Sequence, residues 1–485
     1  MTTGALSTKT ARGSILAVAS KLTAKTVAFM ATLILARILN PADFGLIAIA
    51  LLAFGFLDTM RNLGVSEVLV YQQRYRSSEA STAFWIALVS GCVFAVIFSA
   101  SAPLIAGFFN NTEVTGLIRV MGLLFVLEAL GAVPAAIAKR DLRFRIRAYS
   151  EVSRALFKAF ISIVLALSGF GVWSIVFGQI AGSVVGVAVY WKKLEFIPTF
   201  QFEKGAARVM LSYGIVLTLV GILAFSVNRM DQFIIANQLG VLQLGYFALA
   251  YTFANMLIFD LAQTAGQATI STFARVQADR SELRKYYLDT LFYMSTFGIA
   301  LGLGLFFTAE YVVRVLLADK WLPIVPVLKA LSINALLMTI VASAADVITA
   351  TGRAKYIIYL NLGWLVISAP IILMLSKYGI TAIAWGVTVM EVCALAIFLV
   401  IAMRIADHSL LDVLNTLSSS LIAGAAMGAV LYGLQYFLGD SNIRDFLMLA
   451  MLIGVGGICY LLVVVVLRPE TLTQVRHVLM PKKVS

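Results

Sequence analysis

The residues in this sequence with the most chemical potential are charged side chains inside long apolar segments. Lys21 and Lys25 are spaced i to i+4, so both amines project from one face of a helix. Each charge costs roughly 2.5 to 3.5 kcal/mol inside a hydrocarbon layer, and two like charges repel unless an anion or water lies between them. The pair therefore predicts a surface that attracts phosphate. In the alternative interpretation, Lys21 extends to the membrane interface and only Lys25 is buried.

A second group of charged residues has spacings that predict partial neutralisation. Arg61 follows Asp58 at i to i+3, where the two can form an ion pair. Arg229 stands two residues before Asp231, so these side chains project from different sides of a helix and need other partners. Asp260 adds a further carboxylate. We predict anion binding by the two arginines, and either ion coupling or ion pairing by the three aspartates.

Two more patterns of charge lie in apolar segments. Arg154 and Lys158 form a second basic pair at i to i+4, and we include Lys158 among the predicted anion-binding cations. Glu151 precedes Arg154 by one turn, so a salt bridge between these two at the membrane edge is the simpler interpretation. Three isolated acids leave two interpretations open, proton binding or pairing with a neighbouring base: Glu128, Asp346 and Glu391.

The segments that must position these residues are predicted to cross a membrane. Hydrophobic residues make up 61% of the chain, charged residues 13%, and the mean hydropathy is +0.96, far from a soluble domain. Runs of the roughly 20 apolar residues that a span needs follow one another along the chain. We predict an all-α membrane protein with about fourteen spans. The spans are 14–39, 44–69, 83–109, 114–138, 150–168, 171–190, 209–236, 241–265, 287–307, 323–350, 356–375, 379–403, 411–438 and 446–467.

The order of spans and polar breaks predicts two lobes of six spans and an additional pair. The polar stretch 192–208, with several lysines and Pro198, is the best candidate for a domain boundary. The predicted divisions are an N-terminus 1–13, an N-lobe 14–191, the linker 192–208, a C-lobe 209–403, spans 13 and 14 within 404–467, and a tail 468–485.

The two halves of the chain also resemble each other. Ala36, Leu39, Gly45 and Ala48 match Ala236, Leu239, Gly245 and Ala248 at a constant offset of 200. An even number of spans separates the partners, so we predict parallel repeats related by a pseudo-two-fold axis along the membrane normal. Spans 1, 2, 7 and 8 would then bring their charges to one centre. Pairs of small residues predict close helix packing: Gly182 with Gly186, Gly298 with Gly302, and Gly424 with Gly428.

Basic residues are distributed unevenly between the two sides of the membrane. Most Lys and Arg outside the spans fall on the side of the N-terminus, which places both termini in the cytoplasm. The opposite loops hold only Arg314, Lys320, Lys377 and Arg444. This asymmetry explains the net charge of +13 without nucleic-acid binding.

No constellation of residues predicts an enzyme, a metal site or a cofactor. The chain has no nucleophile elbow or phosphate loop, and the loops between spans are too short for an active site. His408 and His477 lie far apart without acidic or cysteine partners at metal spacing. The three cysteines fall in predicted spans as packing residues: Cys92, Cys393 and Cys459.

Four segments resemble the polysaccharide-export flippases, in the O-antigen and exopolysaccharide branch of the multidrug/oligosaccharidyl-lipid/polysaccharide superfamily. They are LILARILNPADFGLIAIALLAF (33–54), NRMDQFIIANQLGVLQLGYFALAYTF (228–253), FARVQADRSELRKYY (273–287) and GRAKY (352–356). The resemblance implies two six-helix lobes that rock about a central cavity. It implies transfer of an undecaprenyl-diphosphate-linked oligosaccharide across the bacterial inner membrane. Cavity cations of such flippases correspond by position to Lys21, Lys25, Arg61 and Arg229.

The same resemblance implies membrane lipids, a polymerase and export machinery as partners, with proton or sodium coupling as open alternatives. Three other classes of protein compete with this interpretation. A drug or cation antiporter of the same superfamily should have an acidic cavity and usually fewer spans. A membrane glycosyltransferase or polymerase should have a large catalytic loop, and a scaffold has no use for buried charges.

Overall fold

A computed structural model of the chain describes residues 3–62, 64, 68–70, 77–260, 269–277, 279–353, 355–438 and 444–469. The described residues form helices and turns without a strand. The α-helices are α1 (Thr3–Ile38), α2 (Pro41–Arg61), α3 (Ser77–Phe108), α4 (Val114–Met121), α5 (Leu123–Arg140), α6 (Phe144–Leu167), α7 (Trp173–Lys193), α8 (Lys204–Gln238), α9 (Gly240–Ala254), α10 (Thr269–Val276), α11 (Arg280–Val312), α12 (Val325–Ala350), α13 (Lys355–Ser376), α14 (Ile380–Ala406), α15 (Leu410–Leu438) and α16 (Asp445–Leu467). Shorter helical turns are Asn255–Phe259, Val313–Leu317 and Asp319–Ile324.

The prediction of an all-α membrane protein is confirmed. Within the described residues, 13 helical segments are long and apolar enough to cross a membrane. The predicted fifth span is the helix α6, which stands outside this set because it carries several charged residues. Observed helices extend past the predicted spans at their polar ends, as in α11, because charged residues continue a helix into the interface.

The described chain divides into two compact units that differ from the predicted lobes in extent. The first unit contains Met1–Ala248 and Asn361–Ala369, and the second contains Leu249–Leu360 and Pro370–Ser485. Helix α8 belongs to the first unit because it packs along α2. The lobe boundary at 192–208 stays a prediction.

In the first unit, helices α6 and α7 pack through a row of glycines. Gly178 faces Ser162, and a methyl group built on Gly182 would lie 2.8 Å from the carbonyl oxygen of Arg154. Gly186 lies against the side chain of Arg154. Because glycine has no side chain, the two backbones can approach closely within lipid. The packing role predicted for the pair Gly182 and Gly186 is therefore confirmed.

A second contact in the first unit joins positions that the internal repeat pairs with each other. Gly45 of α2 lies against the backbone carbonyl of Val241, and Gly245 of α9 lies against the backbone carbonyl of Pro41. Gly45 and Gly245 are 200 residues apart in the sequence, and so are Pro41 and Val241. A two-fold axis produces such reciprocal contacts. Both glycines come from the repeated loops 36–48 and 236–248.

Helix α8 continues this packing along α2 in the opposite direction. Gly55 of α2 contacts the ring of Phe225, and further along α2 the side chain of Thr59 meets Gly221 of α8. The numbering rises in one helix as it falls in the other, so the pair is antiparallel. This register places Arg61 and Arg229 on opposite sides of the Gly55 contact.

The second unit is built around helix α11, which packs against α12, α15 and α16. Gly298 and Gly302 of α11 contact Thr339 and Leu336 of α12. On α15, Gly424 contacts Ile299 and Leu303, and Gly428 contacts Phe307. The two other predicted glycine pairs are thus confirmed as close helix contacts.

The start of α11 depends on a side-chain cap outside the membrane. The carboxylate of Asp279 accepts hydrogen bonds from the backbone N–H of Ser281 at 2.8 Å and from the Ser281 hydroxyl at 2.7 Å. It also accepts a hydrogen bond from the backbone N–H of Glu282 at 3.3 Å. The hydrogen bond from the Ser281 side chain, followed by those from the backbone, lowers the pKa of Asp279 below its usual value.

We expect Asp279→Ala to lower the thermal unfolding midpoint at neutral pH. Because the folded pKa is lowered, the cap stabilises the protein above the unfolded value of about 3.9 and loses this effect as the pH falls through the folded pKa. Unfolding of purified protein at about pH 7 and about pH 2 measures it, and the difference between the two proteins should be smaller at the lower pH. Glu113→Ala is the matched control, since Glu113 precedes α4 without a side-chain cap. An equal deficit at both pH values would contradict the assignment.

Candidate functional site

The first unit contains a polar cavity of about 340 Å³ between membrane helices. Its walls come from α2, α5, α6, α7 and the segment around Val70. Charged and polar residues alternate there with alanines: Arg61, Asn62, Glu128, Lys139, Arg147, Glu151 and Tyr190. The cavity therefore brings three cations and two carboxylates into a small space, which suits a polar anionic ligand.

The cation at one wall of the cavity is held by its own helix. The Nε of Arg61 donates to the carboxylate of Asp58 at 2.7 Å, and only 6% of the Arg61 side chain is exposed. The hydroxyl of Ser90 donates to the Arg61 carbonyl at 3.0 Å, which closes the end of α2 against α3. The predicted i to i+3 pair is confirmed. The guanidinium of Arg61 is therefore held in one orientation, and its other N–H groups do not bond to Asp58.

A second charged group links three helices beside the cavity. Arg154 of α6 donates to the carboxylate of Glu128 on α5 and, at 2.7 Å, to the hydroxyl of Ser183 on α7. Ser183 donates to the same Glu128 oxygen at 3.2 Å. The arginine, the acid and the hydroxyl thus form one network across α5, α6 and α7.

This network corrects the predicted partner of Arg154. Glu151 instead lies 3.8 Å from Arg147, one turn earlier on α6. The reason is the glycine row of α7, which lets α6 approach so closely that the Arg154 head reaches Glu128. Of the two interpretations left open for Glu128, the structure therefore supports ion pairing.

Three further predicted cations of the first unit, Lys21 and Lys25 on α1 and Lys158 on α6, lie outside the described cavity lining. Near the start of both helices, Gly13 contacts Phe144. Near their ends, Leu35 and Ala166 belong to one apolar cluster, so α1 and α6 run in parallel. This register puts Lys21 near the level of Glu151, and Lys25 near the level of Arg154. Both lysines are partly exposed.

Lys158 is positioned by the same helix contact as Arg154. Its Cβ would lie 2.9 Å from a methyl group on Gly182, so its stem runs along the glycine row of α7. Its backbone carbonyl faces Gly178 in the same way. Lys158 is one turn from Arg154, and the two charges interact.

Arg229 and Asp231 lie in a different layer of the first unit. Arg229 is half-buried on α8, one turn beyond Phe225, whereas Arg61 lies on the other side of the Gly55 contact. At 1.5 Å per residue the two arginines are roughly 15 Å apart along the helix pair. Asp231 is buried, and its carboxylate accepts the backbone N–H of Gln232 at 2.7 Å.

Three acids of the predicted set belong to the second unit. Asp260 follows the helical turn Asn255–Phe259 and is half-buried, as is Asp346 on α12. Glu391 is half-buried on α14 and has no hydrogen bond or ion pair to another described residue. Within the described part of the chain, no group of His, Cys, Asp and Glu could hold a metal ion. His477 lies outside the described residues.

Comparison with known proteins decides the family. A family model for polysaccharide biosynthesis proteins matches residues 34–326, more than half of the 485 residues. The chain belongs to this family. The resemblance inferred from the sequence segments is confirmed, and the match spans the whole cavity as well as α8 and α9.

Individual relatives of this polysaccharide biosynthesis protein are distant in sequence. The teichuronic acid biosynthesis protein TuaB of Bacillus subtilis is 22% identical over 86% of this chain and 87% of its own length. The succinoglycan biosynthesis transport protein ExoT of Rhizobium meliloti is 28% identical over 64% of this chain and 63% of its own. The lipid II flippase MurJ in an inward closed conformation has the same fold, with a TM-score of 0.71 and 14% identity over 94% of this chain and all of that one (100%).

Several cavity residues of this family member escaped the sequence-based prediction. Lys139, Arg147 and Tyr190 lie at helix ends, where basic residues are typical of a cytoplasmic turn, yet they line the cavity. A basic residue of the second unit was also missed: Lys329 on α12, outside the cavity, has its ammonium 5.9 Å from the ring centroid of Phe306. A search for lysines inside apolar segments would have found Lys329. Only the packing of α5, α6 and α7 reveals the other three.

Proposed function

We propose that the chain is a flippase that moves an undecaprenyl-diphosphate-linked oligosaccharide repeat unit across the bacterial inner membrane. One observation carries the proposal: a member of the polysaccharide biosynthesis family holds a cation-lined cavity among its membrane helices. Relatives named for teichuronic acid and succinoglycan biosynthesis support a glycan cargo, and the name lipid II flippase supports a lipid-linked one.

The chemistry of the cavity fits the head group of such a cargo. A diphosphate carries its charge on oxygens that accept hydrogen bonds, and guanidinium groups bind phosphate oxygens with two parallel donors. Asp58 and Glu128 hold two guanidinium groups, those of Arg61 and Arg154, in fixed positions. A cavity of about 340 Å³ lies within the size range of ligand pockets, about 300 to 1,000 Å³.

The remaining parts of the cargo set the other features of the proposal. The glycan needs a hydrated route, and the polyprenyl tail stays in lipid, because moving it into water costs about 0.8 kcal/mol per CH₂ group. The excess of basic residues on one side supports a cytoplasmic location for both termini. The repeat unit therefore enters from the cytoplasmic leaflet, and lobes that rock about a central axis release it on the other side. A polymerase and export machinery would use the product, and no step requires the chain to act as an enzyme.

Transport by purified protein in proteoliposomes tests the function. Lipid-linked oligosaccharides are incorporated, and the fraction in the outer leaflet is followed by a membrane-impermeant lectin or glycosidase. We expect protein-dependent movement of diphosphate lipids, and no movement in protein-free vesicles. Movement of small cationic drugs without diphosphate lipids would instead support an antiporter.

Two cations outside the described cavity lining give a mutational prediction. We expect Lys25→Ala and Arg229→Ala each to abolish polymer export in cells while leaving membrane insertion intact. Each removes a charge at membrane depth that we assign to the passage of the diphosphate. The control is Lys377→Ala, at an exposed position after α13. Normal export by both variants would remove these residues from the proposed route.

A further inference from the structure

Two helices of the second unit, α12 and α14, pack side by side in the same direction. The hydroxyl of Thr388 on α14 donates to the carbonyl of Ala330 on α12 at 3.0 Å, and to Ala384 of its own helix at 2.8 Å. Further along both helices, Ile340 and Ala402 belong to one apolar cluster. The numbering therefore rises together in the two helices, and residues one turn beyond Thr388 and Ala330 share a level.

That level contains two polar side chains whose hydrogen-bonding capacity is unused. Asn334 lies one turn after Ala330, is 4% exposed, and its amide nitrogen has no hydrogen-bond partner among the described residues. Glu391 lies one turn after Thr388 on the same side of α14, and its carboxylate has no partner among those residues either. Burying the Asn334 amide without a partner costs about 1 to 3 kcal/mol, and the half-buried Glu391 adds a further cost while it is charged. The Thr388 hydrogen bond shows that these sides of α12 and α14 face each other, so an unpartnered amide and a half-buried carboxyl share one level without a hydrogen bond between them.

The charges around this level leave Glu391 without a countercharge. Glu391 forms no ion pair with another described residue. On α12, Lys329 lies before Ala330 with its ammonium over Phe306, and Asp346 lies three turns beyond Asn334. Helix α11 carries no charged residue between Asp289 and Glu310, and α13 none between Lys355 and Lys377. Arg404 of α14 is more than three turns from Glu391.

We propose that Glu391 and Asn334 form a proton-binding site in the second unit. One proton adds to a carboxylate oxygen of Glu391, which removes the uncompensated charge. A rotation of the Glu391 side chain toward α12 would bring its other oxygen to the Asn334 amide, whose N–H groups have no partner among the described residues. Release of the proton restores the carboxylate, so one charge is bound and released per cycle. A sodium ion fits less well because it needs several oxygen ligands, whereas this level supplies one carboxylate and one amide oxygen, with the Thr388 hydroxyl one turn earlier.

The proton site would couple transport to the membrane proton gradient, and this use rests on the proposed function. The two units then have different tasks, with anion binding in the first and proton binding in the second. The site itself makes a prediction that does not depend on transport. A neutral carboxyl in an apolar environment reacts with a hydrophobic carbodiimide, whereas a carboxylate does not.

Labelling of the purified full-length protein with dicyclohexylcarbodiimide tests the site directly. Mass spectrometry should find the label on the peptide containing Glu391 at low pH, and labelling should fall about tenfold for each pH unit above the titration midpoint. Glu391→Gln should lose the label. Asn334→Leu removes the donor that favours the carboxylate, so its midpoint should rise by about one pH unit. Asn415→Leu, at an exposed position on α15, is the matched control.

Three results of the labelling experiment would overturn the proposal. They are labelling that does not change with pH, a midpoint that Asn334→Leu leaves unchanged, and protection by sodium ions at constant pH. The last result would identify a sodium site instead.

Transport in proteoliposomes separates this proposal from the proposed function. We expect a pH gradient to accelerate wild-type flipping, and Glu391→Gln to retain flipping without a gradient but to lose the acceleration. Absence of flipping by the wild type overturns the proposed function and leaves the labelling result standing. Equal acceleration of wild type and Glu391→Gln overturns coupling at Glu391, as does acceleration by a sodium gradient alone.

Discussion

A Gly45→Ala variant is expected to lose flipping activity and to unfold at a lower temperature than the wild type. The added methyl group would overlap the backbone carbonyl oxygen of Val241, which belongs to the reciprocal contact between α2 and α9. A flexible side chain can move away from such a group, but a backbone carbonyl moves only with its helix. Overpacking of this kind costs roughly 1 to 3 kcal/mol, and we expect the upper end of this range.

The same contact predicts the behaviour of its partner. Gly245→Ala should have a similar effect, because its methyl group would overlap the carbonyl oxygen of Pro41. The two changes separate the same pair of helices, so the double variant should cost less than the sum of the single ones. Thermal unfolding in detergent and flipping in proteoliposomes measure both effects.

Two other glycines provide matched controls for the same chemical change. Gly107 in α3 and Gly433 in α15 have open space where a methyl group would be added. In a helix, Ala is favoured over Gly by about 1 kcal/mol, so these two variants should be at least as stable as the wild type. If Gly45→Ala had the stability and flipping activity of the wild type, α2 and α9 would not need to be in close backbone contact.

The second large effect is expected for Arg154→Met. The substitution leaves the carboxylate of Glu128 beside the cavity without its cation, while the stem over Gly186 keeps its packing. Breaking a buried ion pair costs about 3 to 5 kcal/mol. Because 37% of the Arg154 side chain and 29% of the Glu128 side chain are exposed, we expect a smaller loss, about 2 to 3 kcal/mol. Flipping should fall to background.

A double variant separates the structural role of this pair from its role in transport. Glu128→Leu combined with Arg154→Met replaces both charges with apolar groups of similar volume, which is often neutral for stability. We expect the thermal midpoint to recover and flipping to remain at background, because an oriented cation beside the cavity has been lost. Recovery of flipping in the double variant would show that the pair acts only in folding.

The sequence predicted one ion pair correctly, and its two charged residues are close in the chain. Asp58 and Arg61 are three residues apart, so helix geometry alone brings their side chains together. Arg154 and Glu128 are 26 residues apart on different helices, and no local spacing pairs them. The predicted partner of Arg154, Glu151, was plausible by spacing but wrong, because α7 brings α6 close to α5.

Apolar composition and the spacing of charged residues by themselves determined the membrane class and the spans, because the cost of exposing backbone and charge to lipid acts on each segment separately. The family resemblance came from four sequence segments. Only the tertiary structure decided which cations line a common cavity, which carboxylates hold them, and which side chains on α12 and α14 stay without partners. Those properties depend on how closely and in what register helices pack. Glycines such as Gly45 and Gly182 set that distance through contacts with residues far away in the chain.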